Sequence, residues 1–464
     1  MAYSFLDVKN RLYTNQIPLA KGIKNSLMKN TPVNPEITDE VIASYHLPDF
    51  GKATIREVVA ISHELERKTN TEFIHMEMGV PGLPASAIGV EAEIKALHAG
   101  VASAYPIIDG LPELKTQASR FIKAFMDIDI AAAGCVPVVG SMQGTFASFL
   151  TCCQCDEQKD TILFIDPGFP VQKQQLVVMG YQAASFDVYE YRGDKLRAKL
   201  ESYLQKGNIA AIIYSNPNNP SWICLNEEEL RIIGELATQY DTIVLEDLAY
   251  FAMDFRKELS QPFRAPFQPS VANYTDKYIL LISASKAFSY AGQRIGVACI
   301  SDRLYHQAYP GLTKRYGGGT FGTVFIHRVL YAISSGTSHS AQYALAAMMK
   351  AASDGNYHFL EDVGEYGKRA KKLKEIFTRH GFHLVYDKDL DEAVADGFYF
   401  TIGYPNMTGA ELMKNLIYYG VSAISLVTTG SAQQGLRACV SFIKENQYAL
   451  LEERLKIFRQ NHPY

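Results

Sequence analysis

Long apolar runs, an excess of basic charge and a paired cysteine framework are all missing from this chain, and each absence removes a class of function. No stretch reaches the roughly 18 apolar residues that a membrane-crossing helix needs. The opening segment Met1-Ala2-Tyr3-Ser4-Phe5-Leu6-Asp7 is polar and lacks the features of a secretory leader, so a soluble, cytoplasmic protein is expected. The formal net charge is −4 and the pI near 6.3, which leaves no field to draw the chain to nucleic acid or an anionic membrane. Cysteines number 7, an odd count without regular spacing, which points to reduced thiols. Cys152-Cys153-Gln154-Cys155 has no second Cys or His pair nearby to complete a metal site. It continues the apolar run Phe146 to Thr151 and reads as buried structural thiols. Internal repeats and low-complexity tracts are also absent.

What remains is a chain of 464 residues, 47% hydrophobic and 20% charged, long enough for two domains around a large core. Its centre alternates short β-branched runs with helical patterns. Thr161 to Ile165, Ile209 to Tyr214, Thr242 to Leu245 and Tyr278 to Ile282 are apolar at successive positions, as strands covered on both faces are. Between them, Glu227 to Tyr240 has helical periodicity with acids in its first turn, where the helix dipole favours them. This rhythm calls for an α/β fold with a parallel sheet and right-handed crossovers. Beyond about residue 340 the style changes. A charged helix near Tyr357 to His380 precedes strands at Phe398 to Ile402 and Gly435 to Phe442, and a last helix at Gln447 to about Arg459. This is the pattern of a smaller α+β domain. Gln261 to Pro269 and Gly317-Gly318-Gly319-Thr320 read as loops.

The most informative residue is Lys286, set in Ile282-Ser283-Ala284-Ser285-Lys286-Ala287-Phe288 with Arg294 and Gly296 following. A Schiff base to an aldehyde cofactor with a phosphate tail needs such an amine, with hydroxyls and a guanidinium beside it for the phosphate. Three further polar segments each follow an apolar run. They are Tyr214-Ser215-Asn216-Pro217-Asn218-Asn219-Pro220, Glu246-Asp247-Leu248-Ala249-Tyr250 and Gly140-Ser141-Met142-Gln143-Gly144. Open α/β sheets place their ligands at such C-terminal strand ends.

With these four segments in this order, the chain resembles the fold-type I pyridoxal-phosphate aminotransferases of class I/II over about residues 75 to 442. The resemblance implies a large cofactor domain at 61–335 with a mostly parallel seven-stranded sheet, Ile295 to Ile300 being its antiparallel strand. Residues 1–60 and 336–464 would form the small domain. It also implies roles. Lys286 carries the Schiff base to pyridoxal 5'-phosphate, and Asp247 keeps the cofactor's ring nitrogen protonated. Tyr250 and Asn219 bond the ring's phenolic oxygen, Asn219 also facing the substrate. Phe169, in Asp166-Pro167-Gly168-Phe169-Pro170, stacks on the ring. The amides of Ser141 and Met142 at a helix start, with Ser283 and Arg294, hold the phosphate. Tyr105 reaches the phosphate of a neighbouring subunit, which makes the active unit a homodimer with shared sites. Arg437 pairs with the substrate α-carboxylate and Gly79 offers it a backbone amide.

The chain departs from the family pattern where Ser221-Trp222 follows Asn219-Pro220, where Lys115 replaces an arginine, and in the spacing Arg437-Ala438-Cys439-Val440-Ser441. The reaction implied is a two-stage ping-pong transfer of an amino group from an L-amino acid to a 2-oxo acid. A β-eliminating lyase or a decarboxylase of the same fold would share every cofactor residue, so the motifs leave both open. A DNA-binding regulator built on this fold would need more than the 60 residues of mixed charge that precede it. No second arginine can be assigned to a distal substrate carboxylate; Arg315 lies in a segment without a clean family match.

Overall fold

The computed structural model describes residues 30–464. At its centre is a seven-stranded sheet formed by β2 (Cys135–Val138), β3 (Thr161–Asp166), β4 (Gln182–Asp187), β5 (Ile209–Ser215), β6 (Ile243–Leu248), β7 (Tyr278–Ser283) and β8 (Gly296–Ile300), in the order β2-β8-β7-β6-β5-β3-β4. Only β8 runs against its neighbours β2 and β7. Strands β3, β6 and β7 are buried at every residue, and β5 at all but its last. Helices on both faces explain why these strands are continuously apolar instead of alternating. The helix Gly140–Cys152 covers one face, with Phe149 and Ala147 packed against Val138, Leu245 and Leu281. On the other face, Pro112–Met126 contributes Phe121 and Phe125 to a cluster with Phe251, Phe288 and Phe359.

Helix ends follow their local sequence. Asn226 caps Glu227–Gln239 and Glu229 returns a hydrogen bond to the cap, so the acidic first turn predicted there is a capping box. Thr54 does the same for Ile55–Thr69 through Glu57. The charged helix expected near Tyr357 to His380 is Phe359–Arg379, with Val363, Tyr366, Ala370 and Phe377 buried. The final helix is Tyr448–Asn461.

The later part of the chain builds a second sheet of four strands, in which Tyr399–Gly403 pairs antiparallel with Leu436–Cys439. A short parallel ladder joins β1 (Ile74–His75) to Val421–Ser422 and so ties the start of the described chain to this unit. Residues just before β1 pack here too: Val33, Val41, Ile61, Leu65 and Phe73 surround Ile417. The expected packing of residues 1–60 beside this unit falls partly on residues 1–29, outside the described ones. After the expected boundary at 335, His339–Ser353 packs on the helices Ala87–His98 and Pro112–Met126. All seven cysteines are free and six are buried, Cys152, Cys153 and Cys155 among them, as their apolar context indicated.

Candidate active site

The C-terminal ends of β3, β5, β6 and β7 open on a cavity of about 600 Å³. Lys286 stands in its wall on the one-turn helix Ala284–Ala287, which Ser283 starts by accepting the amide of Ser285 at 3.2 Å. Its Nζ donates to the carbonyl of Gly79 and lies 5.3 Å from the centre of the Phe398 ring. Burial lowers its pKa to about 8; nearby Cys439 opposes that fall, and Arg294 and Arg437 add to it. An amine so placed is half neutral at about pH 8, far below the range of a solvated lysine, and in that form can act as nucleophile or base.

Asp247, the penultimate residue of β6, lines the same cavity. The carboxylate accepts Gln172 Nε2 at 2.8 Å and the amide of Ala249 at 3.2 Å, while burial raises its pKa to about 6. A buried carboxylate at this point favours a cation next to it, since charge pairing repays its desolvation. Gln172 was not foreseen from sequence. It lies three residues after Phe169, in the first turn of Pro170–Met179, so the segment that carries the expected stacking ring also orients the carboxylate.

Ser141 and Met142 open the helix Gly140–Cys152 toward the cavity, with Ser283 and Arg294 beside them. Gly140 has φ +65°, and a Cβ there would lie 2.7 Å from Arg294 Nη2, so a side chain would push the guanidinium off the helix start. A helix N-terminus, a hydroxyl and an arginine together form an anion site. Asn219 and Phe169 also border the cavity. The turn that carries Asn219 and the unusual Ser221-Trp222 is held by side-chain hydrogen bonds. Asn218 Oδ1 accepts the amide and hydroxyl of Ser221, and Ser215 Oγ accepts the amide of Asn219 at 3.1 Å. Trp222 is fully buried and stands edge-on to Tyr250, with ring centres 5.2 Å apart, so this departure supports the site from behind.

The second sheet supplies the opposite wall. Arg437 is 1% exposed, donates to the carbonyl of Glu77 and stacks on Tyr399 at 4.8 Å. Tyr399, also unforeseen, receives the Tyr250 hydroxyl at 2.9 Å. Burial holds both phenols above their usual range, Tyr399 at about 12. Tyr399 adjoins Phe398 in a strand the sequence did reveal, but strand periodicity alone does not say which face meets a ligand. Gly79 is needed for this contact, because a Cβ there would sit 1.8 Å from the Tyr399 hydroxyl. Ile55, Arg56, Val59 and Met78 complete this side.

Eleven of the twelve residues singled out from sequence thus border one cavity. Tyr105 does not: it is 91% exposed and lines a separate surface hollow with Pro106 and His339. Gly79 meets Lys286 through its carbonyl.

A parallel sheet with one reversed strand, a lysine after β7 and an acid near the end of β6 define the fold-type I class of transferases. The profile of the aminotransferase class I and II family matches residues 79–455, and the chain belongs to that family. A probable aspartate aminotransferase of Methanocaldococcus jannaschii is 24% identical, over 86% of this chain and 95% of its own length. The LL-diaminopimelate aminotransferase of Moorella thermoacetica is 23% identical, over 73% and 78% of the respective chains. Among solved structures, an alanine aminotransferase from Pyrococcus furiosus superposes with a TM-score of 0.72 over 88% of this chain and 97% of its own, at 19% identity. A Thermus thermophilus aspartate aminotransferase gives 0.69 over the same shares at 18%. The protein is an aminotransferase. Of the activities the motifs left open, family membership favours amino transfer over elimination and decarboxylation. No described helix is long and apolar enough to cross a membrane.

Proposed function

We propose that this chain binds pyridoxal 5'-phosphate through Lys286 and moves the amino group of an L-amino acid to a 2-oxo acid. The observation that carries the reading is a buried amine with a pKa near 8 in the same cavity as a buried acid and a helix-start anion site. Two buried polar atoms there, Asn219 Oδ1 and Arg437 Nε, have no protein partner, as expected of groups that face a ligand. The donor set fits the cofactor: hydroxyl, amide and guanidinium groups for a phosphate, a carboxylate for a ring nitrogen, and Phe169 for a ring face.

When bound, the cofactor supplies an electrophilic carbon and an electron sink that makes the α-C–H bond of an amino acid acidic. Lys286 Nζ would be the base that takes the α-proton of the bound amino acid and holds it for return. Its depressed pKa leaves it neutral often enough to do so near pH 8. Asp247, held by Gln172, keeps the ring nitrogen cationic. Tyr250 and Asn219 steady the ring oxygen, and Tyr399 orients Tyr250. Arg437, packed against Tyr399 and anchored on Glu77, meets the α-carboxylate. The substrate side chain then faces Ile55, Val59 and Met78, with Arg56 at the rim. A homodimer is part of the proposal, because exposed Tyr105 and Ile107 supply the surface through which a partner's phosphate could be reached.

Borohydride reduction of the loaded protein followed by peptide mapping tests the assignment. Label is expected on Lys286, and Lys286→Ala should lose on the order of 10²- to 10⁴-fold or more in turnover. Label on another lysine, or near-normal turnover in the variant, overturns it.

A further inference from the structure

Away from the cavity, three metal-ligating side chains converge on the outer side of β1. His63 and Glu66 are one turn apart on the helix Ile55–Thr69, and His75 ends β1 beside them. Their ligand atoms lie within 4.8 Å of one another. His63 Nδ1 is 3.0 Å from Glu66 Oε2, and His75 Nε2 is 3.2 Å from Glu66 Oε1. Bonds of about 2.0–2.2 Å from nitrogen and oxygen to a tetrahedral ion put ligand atoms roughly 3.3 Å apart. Each imidazole is already near that spacing from one of the two oxygens of Glu66.

The hydrogen-bond pattern explains why a cation belongs here. His75 Nδ1 stands 2.9 Å from Glu77 Oε1, and Glu77 is fully buried, its other oxygen receiving Ser422 Oγ at 2.6 Å. With Nδ1–H committed to that acid, a neutral His75 turns the lone pair of Nε2 toward Glu66, so two acceptors face each other. His63 meets the same carboxylate. A neutral His63 can give Nδ1–H to Glu66, but the His75–Glu66 contact calls for either a proton on His75 Nε2 or one ion shared by both rings and the acid. The outer partners suit an ion. A buried carboxylate fixes the tautomer of His75, as carboxylate–histidine–metal triads do, and the amide of Phe73 holds Glu66 Oε1 at 2.9 Å. Side-chain exposure grades from 0% at Glu77 through 19% at His75 and 26% at Glu66 to 53% at His63. One side therefore opens to solvent through a hollow of about 360 Å³ that also borders Met78.

We infer that His63, Glu66 and His75 form a binding site for one divalent transition-metal ion, with Glu77 as its outer-sphere anchor and a solvent-facing open position. Two imidazoles and a carboxylate select zinc-like ions, cobalt(II) and nickel(II) included, over calcium or magnesium. None of the three ligands lines the amino-transfer cavity, although the hollow meets it at Met78.

Tag-free, cofactor-loaded protein is titrated with cobalt(II), read by its ligand-field bands at longer wavelength than the cofactor's, and then with competing zinc. One equivalent per chain is expected, with zinc displacing cobalt. Calcium and magnesium should leave the bands unchanged. His63→Ala alters an exposed ligand and should fold and turn over normally, yet bind cobalt at least tenfold more weakly; Glu66→Gln should behave alike. Removing an outer-sphere partner costs about ten- to a hundredfold, so loss of a ligand should cost no less. Absence of a cobalt signature in the parent protein, or equal binding in parent and both variants, would leave a protonated His75 between Glu66 and Glu77 as the account of the cluster and overturn the inference.

Discussion

Burying the amine of Lys286 should destabilise the cofactor-free protein, and the size of that cost follows from its pKa. A fall from 10.5 to about 8 means that the native state disfavours the charged form. At 1.36 kcal/mol per pKa step this amounts to about 3 kcal/mol. Below pH 8 the native protein holds the charged amine and bears the whole cost. Between 8 and 10.5 the unfolded chain binds more protons than the native one, so stability rises with pH. Above 10.5 the cost is gone. Lys286→Met keeps the length of the side chain and removes the charge. It also leaves the Gly79 carbonyl without its donor, a loss of roughly 1 kcal/mol. At pH 7 the variant should therefore be more stable by about 2 kcal/mol, and above pH 10.5 less stable by about 1 kcal/mol. For 464 residues, with about 2.1 cal/mol/K of unfolding entropy each, the advantage at pH 7 raises Tm by about 2 °C. Thermal unfolding of both cofactor-stripped proteins, followed by circular dichroism from pH 6 to 11, measures the crossing. Parallel pH profiles would falsify the burial argument, because a solvated lysine contributes no such slope.

Two other substitutions probe opposite walls of the cavity. Asp247→Asn removes the charge that would face a cationic ring nitrogen; breaking such a buried pair costs roughly 3 kcal/mol, so the cofactor should dissociate about a hundredfold more readily in a fluorescence titration. In the parent protein, affinity should also fall as pH drops through about 6, where this carboxyl protonates. Arg56→Ala should raise KM for dicarboxylic substrates about fivefold, an exposed ion pair being worth roughly 1 kcal/mol, while apolar amino donors change less than twofold. Equal effects on both substrate classes would remove Arg56 from substrate selection.

The sequence reveals best what depends on local order. Strands β3, β5, β6 and β7 are continuously apolar because both faces are covered, and the polar residues that end them are drawn together by the parallel topology alone. Lys286 and Asp247 could be read for that reason. Tyr399 and Gln172 could not. Each acts through a side chain distant in sequence, Tyr399 on Tyr250 and Gln172 on Asp247, and no spacing rule encodes such a contact. Arg56 was hidden for another reason: it sits in a helix of ordinary amphipathic pattern, and only the packing of that helix brings it to the cavity. The cluster at His63, Glu66 and His75 combines a helical spacing with a strand, so neither period reveals it.

The two walls of the cavity belong to different stretches of chain. Asp247, Ser283, Lys286 and Arg294 come from the ends of the seven-stranded sheet, whereas Arg56, Val59, Met78 and Tyr399 come from segments outside it. Retooling this protein for a new amino donor is thus a matter of repainting one wall. Libraries confined to Arg56, Val59 and Met78 would leave in place Tyr399, which bonds Tyr250, and with it the grip on the prosthetic group assigned to the opposite wall.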